Sequence, residues 1–373
     1  MKSGRLRVVV SGGGTGGHIY PALAIARGVL GRGGAVLYIG TAAGMEASIV
    51  PRAGIPFAGV DSAGLSRSLS LRNLAALGRA GRGVVQAARL LRRFRPRVVA
   101  GTGGYASAPV VLAACALRMP TLIHEQNAVP GLTNRSLGRL ADGVAVTFPS
   151  AQACFPGRRV KYTGLPVRPE FLDVDRTAAR RELGLLSDDF FLLSLGGSRG
   201  AQSLNRAMAE VIERLGGKAG VHLLILTGQT GREVFQAGLE QRGINLANYG
   251  NIKVEAYRDD MASLMAAADL VVARAGAASI AELTVLGRPS ILIPYPHAAA
   301  DHQRANAAEL ATCGAARVIP DRDLAGGRLV ETVEELFGDP AARRRMAEAA
   351  LSLGRPRALE DILDFLEDLA RRT

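Results

Sequence analysis

Leu6-Arg7-Val8-Val9-Val10-Ser11-Gly12-Gly13-Gly14-Thr15-Gly16-Gly17-His18 is the stretch whose reading decides the fold of this chain. A short apolar strand empties into five glycines and then into a helical pattern, which aims backbone N–H groups at an anion. Gly12, Gly14 and Gly17 satisfy the dinucleotide pattern G-x-G-x-x-G, a weak signal alone. Two features argue against a nicotinamide cofactor. The second strand, residues 35–40, ends without an acid for a ribose, the first acid being Glu46 several residues later. His18 also stands directly after the last glycine, where a dinucleotide fold needs only close packing. No Gly-Lys-Ser/Thr follows, so the loop is not a Walker loop. The plain alternative is a tight turn that holds no ligand.

A chain of 373 residues exceeds one ordinary core, so two domains are expected. Strand candidates at residues 6–11, 35–40, 57–60, 98–101, 121–124 and 143–147 are followed by others at 190–195, 222–227, 252–255, 270–273 and 290–293. Short apolar strands spaced by amphipathic helical stretches give α/β architecture with parallel sheets covered on both faces. Each half reads as its own doubly wound, Rossmann-like sheet. The join falls at Thr163-Gly164-Leu165-Pro166-Val167-Arg168-Pro169, so the domains are expected at 1–164 and 165–354. The last helical stretch, residues 359–371 within about 355–373, is free to cross back to the first domain. Glycine loops at 12–17, 101–104 and 196–200 all follow strands, and ligands in such sheets bind off the carboxyl ends. Three such loops would line one interdomain cleft.

Charge is divided unevenly. The chain carries +13 overall, but residues 1–164 hold 21 Lys and Arg against Glu46, Asp61, Glu125 and Asp142. Ten arginines and no acid lie between Asp61 and Glu125, so the first domain is expected to meet an anionic partner. Cys115, Cys154 and Cys313 are scattered and odd in number, which fits a reducing compartment rather than disulfides or zinc. The longest apolar stretch, residues 108–117, is about half of the roughly 20 residues a spanning helix needs. The N-terminal apolar run is too short for a signal peptide.

Several further motifs then match one family together. They are Gly-Gly-Thr-Gly-Gly-His at 13–18, Gly-Gly-Tyr-Ala-Ser at 103–107, His-Glu-Gln-Asn at 124–127 and Gly-Leu-Pro-Val-Arg at 164–168. Gly-Gly-Ser-Arg-Gly-Ala at 196–201, Arg-Ala-Gly-Ala at 274–277 with Glu282, and Asp-His-Gln-Arg-Ala-Asn at 301–306 complete the set. The chain resembles the MurG family of inverting, GT-B type glycosyltransferases, which move N-acetylglucosamine from UDP-GlcNAc onto undecaprenyl-pyrophosphoryl-MurNAc-pentapeptide (lipid I), giving lipid II for peptidoglycan.

The resemblance implies that the second domain holds the donor. Glu282 would accept the ribose hydroxyls, and as a plain alternative it is an acid favoured by a helix start. Ser198 and Arg168 would face the diphosphate, and Tyr257 would read the uracil edge through its backbone. Ala278, Ser279 and Gln303 would line the sugar, with Asn127 reaching it from the first domain. Thr15, Gly16 and Gly17 join the substrate-binding set. Arg199 stands where the family usually has Gln, Leu165 where Asn is common, and Ser279 where Thr is common. Enzymes of this family work peripherally on the cytoplasmic face of the cell membrane, alongside cell-wall and division machinery.

The transfer needs a base for the acceptor hydroxyl, and His18 is the candidate because a histidine is mostly neutral at cytoplasmic pH. Its competing role is a hydrogen bond to a phosphate. His124 and Glu125 are second-rank candidates. No cofactor and no metal are expected, since no Asp-x-Asp pair is present and Asp188-Asp189 and Asp259-Asp260 read as helix-start acids. Residues 65–95 alternate Leu69, Leu71, Leu74, Leu77, Val84 and Val85 with Arg67, Arg72, Arg79, Arg82, Arg89, Arg92 and Arg93, a pattern suited to an anionic lipid surface. The bland alternative is an Arg-faced helix packed on the sheet. Another nucleotide-sugar glycolipid transferase is the runner-up, separable by its acceptor. A basic nucleic-acid binder is the non-enzyme alternative, but no RNP, KH or helix-turn-helix pattern occurs and the basic segment lacks stacking aromatics.

Overall fold

In a computed structural model, residues 5–62, 71–196 and 201–372 are described, those of 71–77 by backbone only. The chain divides into two compact units. One runs to Val167 and resumes from Arg355, and the other is Arg168–Gly354.

In the first unit, β1 (Arg7–Ser11), β2 (Ala35–Thr41), β3 (Phe57–Val60), β4 (Val98–Gly101), β5 (Thr121–Glu125), β6 (Gly143–Val146) and β7 (Val160–Tyr162) form one sheet. Its order is β3-β2-β1-β4-β5-β6-β7, and every pairing is parallel. The helices are α1 (Gly16–Gly31), α2 (Glu46–Arg52), α3 (Leu71–Phe94), α4 (Ser107–Ala116) and α5 (Leu132–Leu137). Residues on β1 alternate between the two faces. Val8 and Val10 pack toward α1, while Val9 packs toward α3 and α4 with Ala87, Leu91 and Val110. Both faces are therefore covered, as continuous Val and Ile runs require.

The second unit repeats the plan. Its strands are β8 (Phe190–Leu195), β9 (Val221–Leu226), β10 (Ile252–Glu255), β11 (Leu270–Ala273), β12 (Ser290–Leu292) and β13 (Ala316–Val318). They lie in the order β10-β9-β8-β11-β12-β13, again all parallel. Helices α6 (Glu170–Asp173), α7 (Arg176–Glu182), α8 (Gln202–Leu215), α9 (Arg232–Gln241), α10 (Met261–Ala267), α11 (Ala277–Val285), α12 (His302–Thr312), α13 (Arg328–Gly338) and α14 (Pro340–Leu353) complete it.

The last helix, α15 (Ala358–Arg371), belongs to the first unit. Its Ile362, Phe365, Leu366 and Leu369 are buried with α1 and the sheet, and Arg32 on that side binds Asp364 at 2.7 Å and Glu367 at 2.9 Å. The returning chain passes Gly164, whose φ is +83° and where a Cβ would stand 2.5 Å from the Arg355 Cβ. A side chain at 164 would block the return.

Two strands escape the sequence reading, β7 and β13. Each has three residues with a charge in the middle, Lys161 and Arg317, so neither shows an apolar run. Asp188 and Asp189 start no helix. They lie before β8, where Asp189 accepts from the Leu186 N–H at 2.7 Å and pairs with His222 at 3.0 Å. Of the second pair, Asp260 does stand at the start of α10, bound to Arg258.

Candidate active site

In both sheets the strand order reverses at the first strand, between β1 and β4 and between β8 and β11, while all strands stay parallel. Crevices at such switch points are where open α/β sheets bind ligands. In the first unit, the loops after β1 and β4 are therefore neighbours. Thr102 N–H donates to Ser11 O at 2.8 Å and Gly13 N–H to Gly103 O at 3.3 Å. Gly103 and Gly104 have φ of +105° and +75°. A Cβ on Gly104 would fall 2.0 Å from Gly13 O, and one on Gly103 would fall 3.0 Å from His18 Nδ1. These glycines let two loops and an imidazole ring lie against each other.

The acid that comes too late for a ribose has a different task. Glu46 is fully buried, and its carboxylate accepts from Thr41 N–H at 3.0 Å and from Gly14 N–H at 3.2 Å. An internal carboxyl group thus occupies one N–H of the first glycine loop. Thr15, just before α1, and Gly17 in its first turn are exposed, and Gly16 is half-buried.

His18, the third residue of α1, is clamped by Thr102. The Thr102 hydroxyl donates to His18 O at 2.8 Å, and His18 Nδ1 lies 3.0 Å from Thr102 O. The same Nδ1 lies 3.0 Å from Gln126 Oε1. Gln126 Nε2 donates to His124 O at 2.9 Å and lies 3.1 Å from His124 Nδ1, while His124 Nε2 is 3.0 Å from Gly164 O. Burial pushes the His124 imidazole down to about 4, so it is neutral at physiological pH. Glu125 accepts from Asn127 N–H at 2.9 Å and from Asn134 Nδ2 at 2.9 Å. Burial still pushes its carboxyl above the usual range. His124 and Glu125 are both buried and committed, Glu125 to orienting half-buried Asn127.

In the second unit, Glu282 sits in the second turn of α11, and the first turn of that helix carries no acid. Helix-start stabilisation therefore does not explain it. Its side chain is 20% exposed and lies 3.9 Å from the Arg168 guanidinium, which also binds Glu170 at 3.0 Å. Burial raises the Glu282 carboxyl to about 7; Arg168 opposes this and Glu170 adds to it. Arg168 is thus placed beside the proposed ribose acid. Ala278 is exposed and Ser279 half-buried in the first turn of α11. Gln303 accepts from Tyr295 N–H at 2.9 Å, in a segment where Ala300 and Asp301 are both left-handed at φ 53°. Such strain clusters at functional sites. Tyr257, past β10, is 53% exposed. Ser198 and Arg199 lie outside the described residues, as do Arg67, Leu69 and the side chains of Leu71, Arg72, Leu74 and Leu77.

Thr102, Gln126, Asn134 and Glu46 were not assigned roles from sequence. Thr102 sits inside the glycine loop at 101–104 and Gln126 inside His-Glu-Gln-Asn, whereas nothing local marks Glu46 or Asn134.

On the far side of the first unit's sheet from α1, α3 turns Ala87 and Leu91 inward. Arg79, Arg82, Arg89, Arg92 and Arg93 face out, with Val85 exposed beside them. None of the ion pairs among the described residues involves these five arginines. No helix among the described residues is long and apolar enough to cross a membrane.

Residues 8–146 match the glycosyltransferase family 28 N-terminal domain and residues 191–362 its C-terminal domain. A UDP-N-acetylglucosamine--N-acetylmuramyl-(pentapeptide) pyrophosphoryl-undecaprenol N-acetylglucosamine transferase of Desulforudis audaxviator is 53% identical over 98% of this chain and 99% of its own length. The chain belongs to this family. The protein of that name from Moorella thermoacetica is 50% identical over 97% of this chain and 98% of its own. The crystal structure of Acinetobacter baumannii MurG, 31% identical, covers 97% of this chain and 99% of that one with a TM-score of 0.81. The fold is accordingly two doubly wound, Rossmann-like domains of GT-B type, and the chain is a hexosyltransferase.

Proposed function

We infer that this enzyme transfers N-acetylglucosamine from UDP-GlcNAc to lipid I, making lipid II for peptidoglycan. The observation that carries the reading is 53% identity over nearly the full length to a transferase of that name. The Glu282 and His18 arrangements supply chemistry to match it.

The second unit takes the donor. The Glu282 carboxylate accepts the ribose hydroxyls, Tyr257 reads uracil through its backbone, and Ala278, Ser279 and Gln303 take the sugar. Arg168, Ser198 and the N-terminus of α11 at the β11 switch point stabilise the diphosphate. The first unit takes the acceptor near Thr15, Gly16 and Gly17. There His18 Nε2 removes the proton from the attacking sugar hydroxyl as the new O–C1 bond forms. The C1–O bond to the diphosphate breaks on the opposite face, and its electron pair leaves with UDP. No step calls on a cofactor or metal. The outward arginines of α3 give the first unit a face for anionic lipid, making the enzyme peripheral to the cytoplasmic face of the membrane, within reach of cell-wall and division machinery.

The test is UDP release with and without a lipid I analogue, in the parent and in His18→Ala. Turnover should need the analogue and fall roughly 100-fold or more in the variant, with donor affinity little changed. UDP release indifferent to the analogue would overturn the acceptor. A variant within a few-fold of the parent would overturn the base.

A further inference from the structure

The His-Glu-Gln-Asn segment has a role that the donor and acceptor contacts leave unused. We propose that Gln126, itself fixed by His124, is a positioning residue that holds His18 in the tautomer with its proton on Nδ1, so that the Nε2 lone pair faces the chemistry. The inference rests on the reading of His18 as the base.

A chain of groups with forced donor and acceptor roles links Gly164 to His18. Gly164 O can only accept, so His124 Nε2 carries a proton at 3.0 Å. A neutral His124 then has only a lone pair on Nδ1. That lone pair and the His124 carbonyl both face one atom of Gln126, 3.1 and 2.9 Å away. Two acceptors on one side identify that atom as the amide nitrogen. Gln126 Oε1 must therefore point the other way, toward His18 Nδ1 at 3.0 Å. Thr102 O reaches the same Nδ1 at 3.0 Å. Two acceptors converging on one ring nitrogen require a proton there, and the tautomer follows. Isolation helps the arrangement. His124 and Gln126 are 1% and 3% exposed, so no water competes for the amide, and His124 stays neutral when His18 charges. Asn134 Nδ2 donates to His124 O at 3.1 Å and helps fix this carbonyl. The same two acceptors favour the imidazolium that forms when His18 takes the acceptor's proton.

The other titratable groups at these loops are Glu46 beneath Gly13 and Gly14, Tyr105 against Gly14, and Glu125 behind Asn127. Gln126→Leu leaves all of them in place and removes one acceptor from His18.

Two measurements test the proposal. Nitrogen-15 NMR of histidine-labelled parent protein, resonances assigned by loss in His18→Ala and His124→Phe, should show His18 protonated on Nδ1 and His124 on Nε2 near pH 7.5. The opposite tautomer at either ring overturns the relay, and this reading needs no Gln126 variant to fold. In Gln126→Leu, kcat should fall about 10- to 100-fold with the UDP-GlcNAc KM within about two- to three-fold of the parent. The acidic limb of kcat/KM should move down by about 0.4–1 pH unit, because the imidazolium loses a hydrogen bond. A loss of kcat with the limb unmoved would mean only a packing role and overturns the proposal. Activity surviving in His18→Ala beside the expected tautomers would instead sink the base reading, which separates the two failures.

Discussion

Replacing Glu282 by Gln should stabilise the free enzyme at pH 8 while weakening its donor binding. The folded protein holds this carboxyl at about 7 against an ordinary value of 4.5. Its stability contribution is fully present below pH 4.5, where folded and unfolded chains are both protonated. It is lost as pH rises toward 7, because the unfolded chain releases a proton that the folded one keeps. At 1.36 kcal/mol per pH unit, ionisation of Glu282 costs the folded state about 3 kcal/mol above pH 7. Glutamine matches the shape without the charge. The attraction of Arg168 at 3.9 Å is already contained in that value, and solvent screening of the partly exposed pair leaves about 1–3 kcal/mol. In a chain of 373 residues that is roughly 1–4 °C in Tm at pH 8, with almost no difference at pH 4.5. Donor affinity should move the other way. Two charge-assisted hydrogen bonds at about 1.5–3 kcal/mol each would be weakened to neutral ones, a loss of roughly ten- to a hundred-fold. In the parent, UDP-GlcNAc should bind more tightly as pH rises through 7, since on the proposed reading the carboxylate form takes the hydroxyls. Melting curves at pH 4.5 and 8, beside donor titrations, decide the matter. An equal Tm difference at both pH values, or unchanged donor affinity, would refute the reasoning.

Three further outcomes follow from the geometry. Excess EDTA should leave turnover largely intact if, as proposed, amides and Arg168 do the cationic work; complete loss restored by magnesium would show the diphosphate is neutralised differently. Charge reversal at Arg79, Arg82 and Arg89 should reduce sedimentation with anionic vesicles, and added salt should do the same to the parent. Unchanged binding would return α3 to an ordinary solvated face. Phe365→Ala should cost about 3–5 kcal/mol by urea unfolding, since this ring is fully buried between α15 and the sheet; a cost below about 1 kcal/mol would mean the helix is not part of that core.

The parts of the fold legible in sequence are those where burial on both faces forces an apolar run. β1, β4, β8 and β11, the strands beside the two switch points, are of this kind. β7 and β13 lie at sheet edges, need only one neighbour, and carry Lys161 and Arg317 outward, so no run betrays them. The site divides in the same way. His18 is visible because a titratable side chain directly after a glycine loop has few structural reasons to be there. Glu46 is not visible, since its partner Gly14 lies 32 residues away and only the order of β1 and β2 brings them together. Glycine density also overstates ligand binding. Gly103 and Gly104 answer to Gly13 O and to the His18 ring, and Gly14 N–H answers to Glu46. A switch point joins two loops that must pass each other before either meets a substrate. Glycines there serve loop contact first, and on the proposed reading what remains for an anion is the first turn of α1 with the histidine it carries. Substitutions in the second loop should therefore disturb turnover through His18 rather than through phosphate affinity.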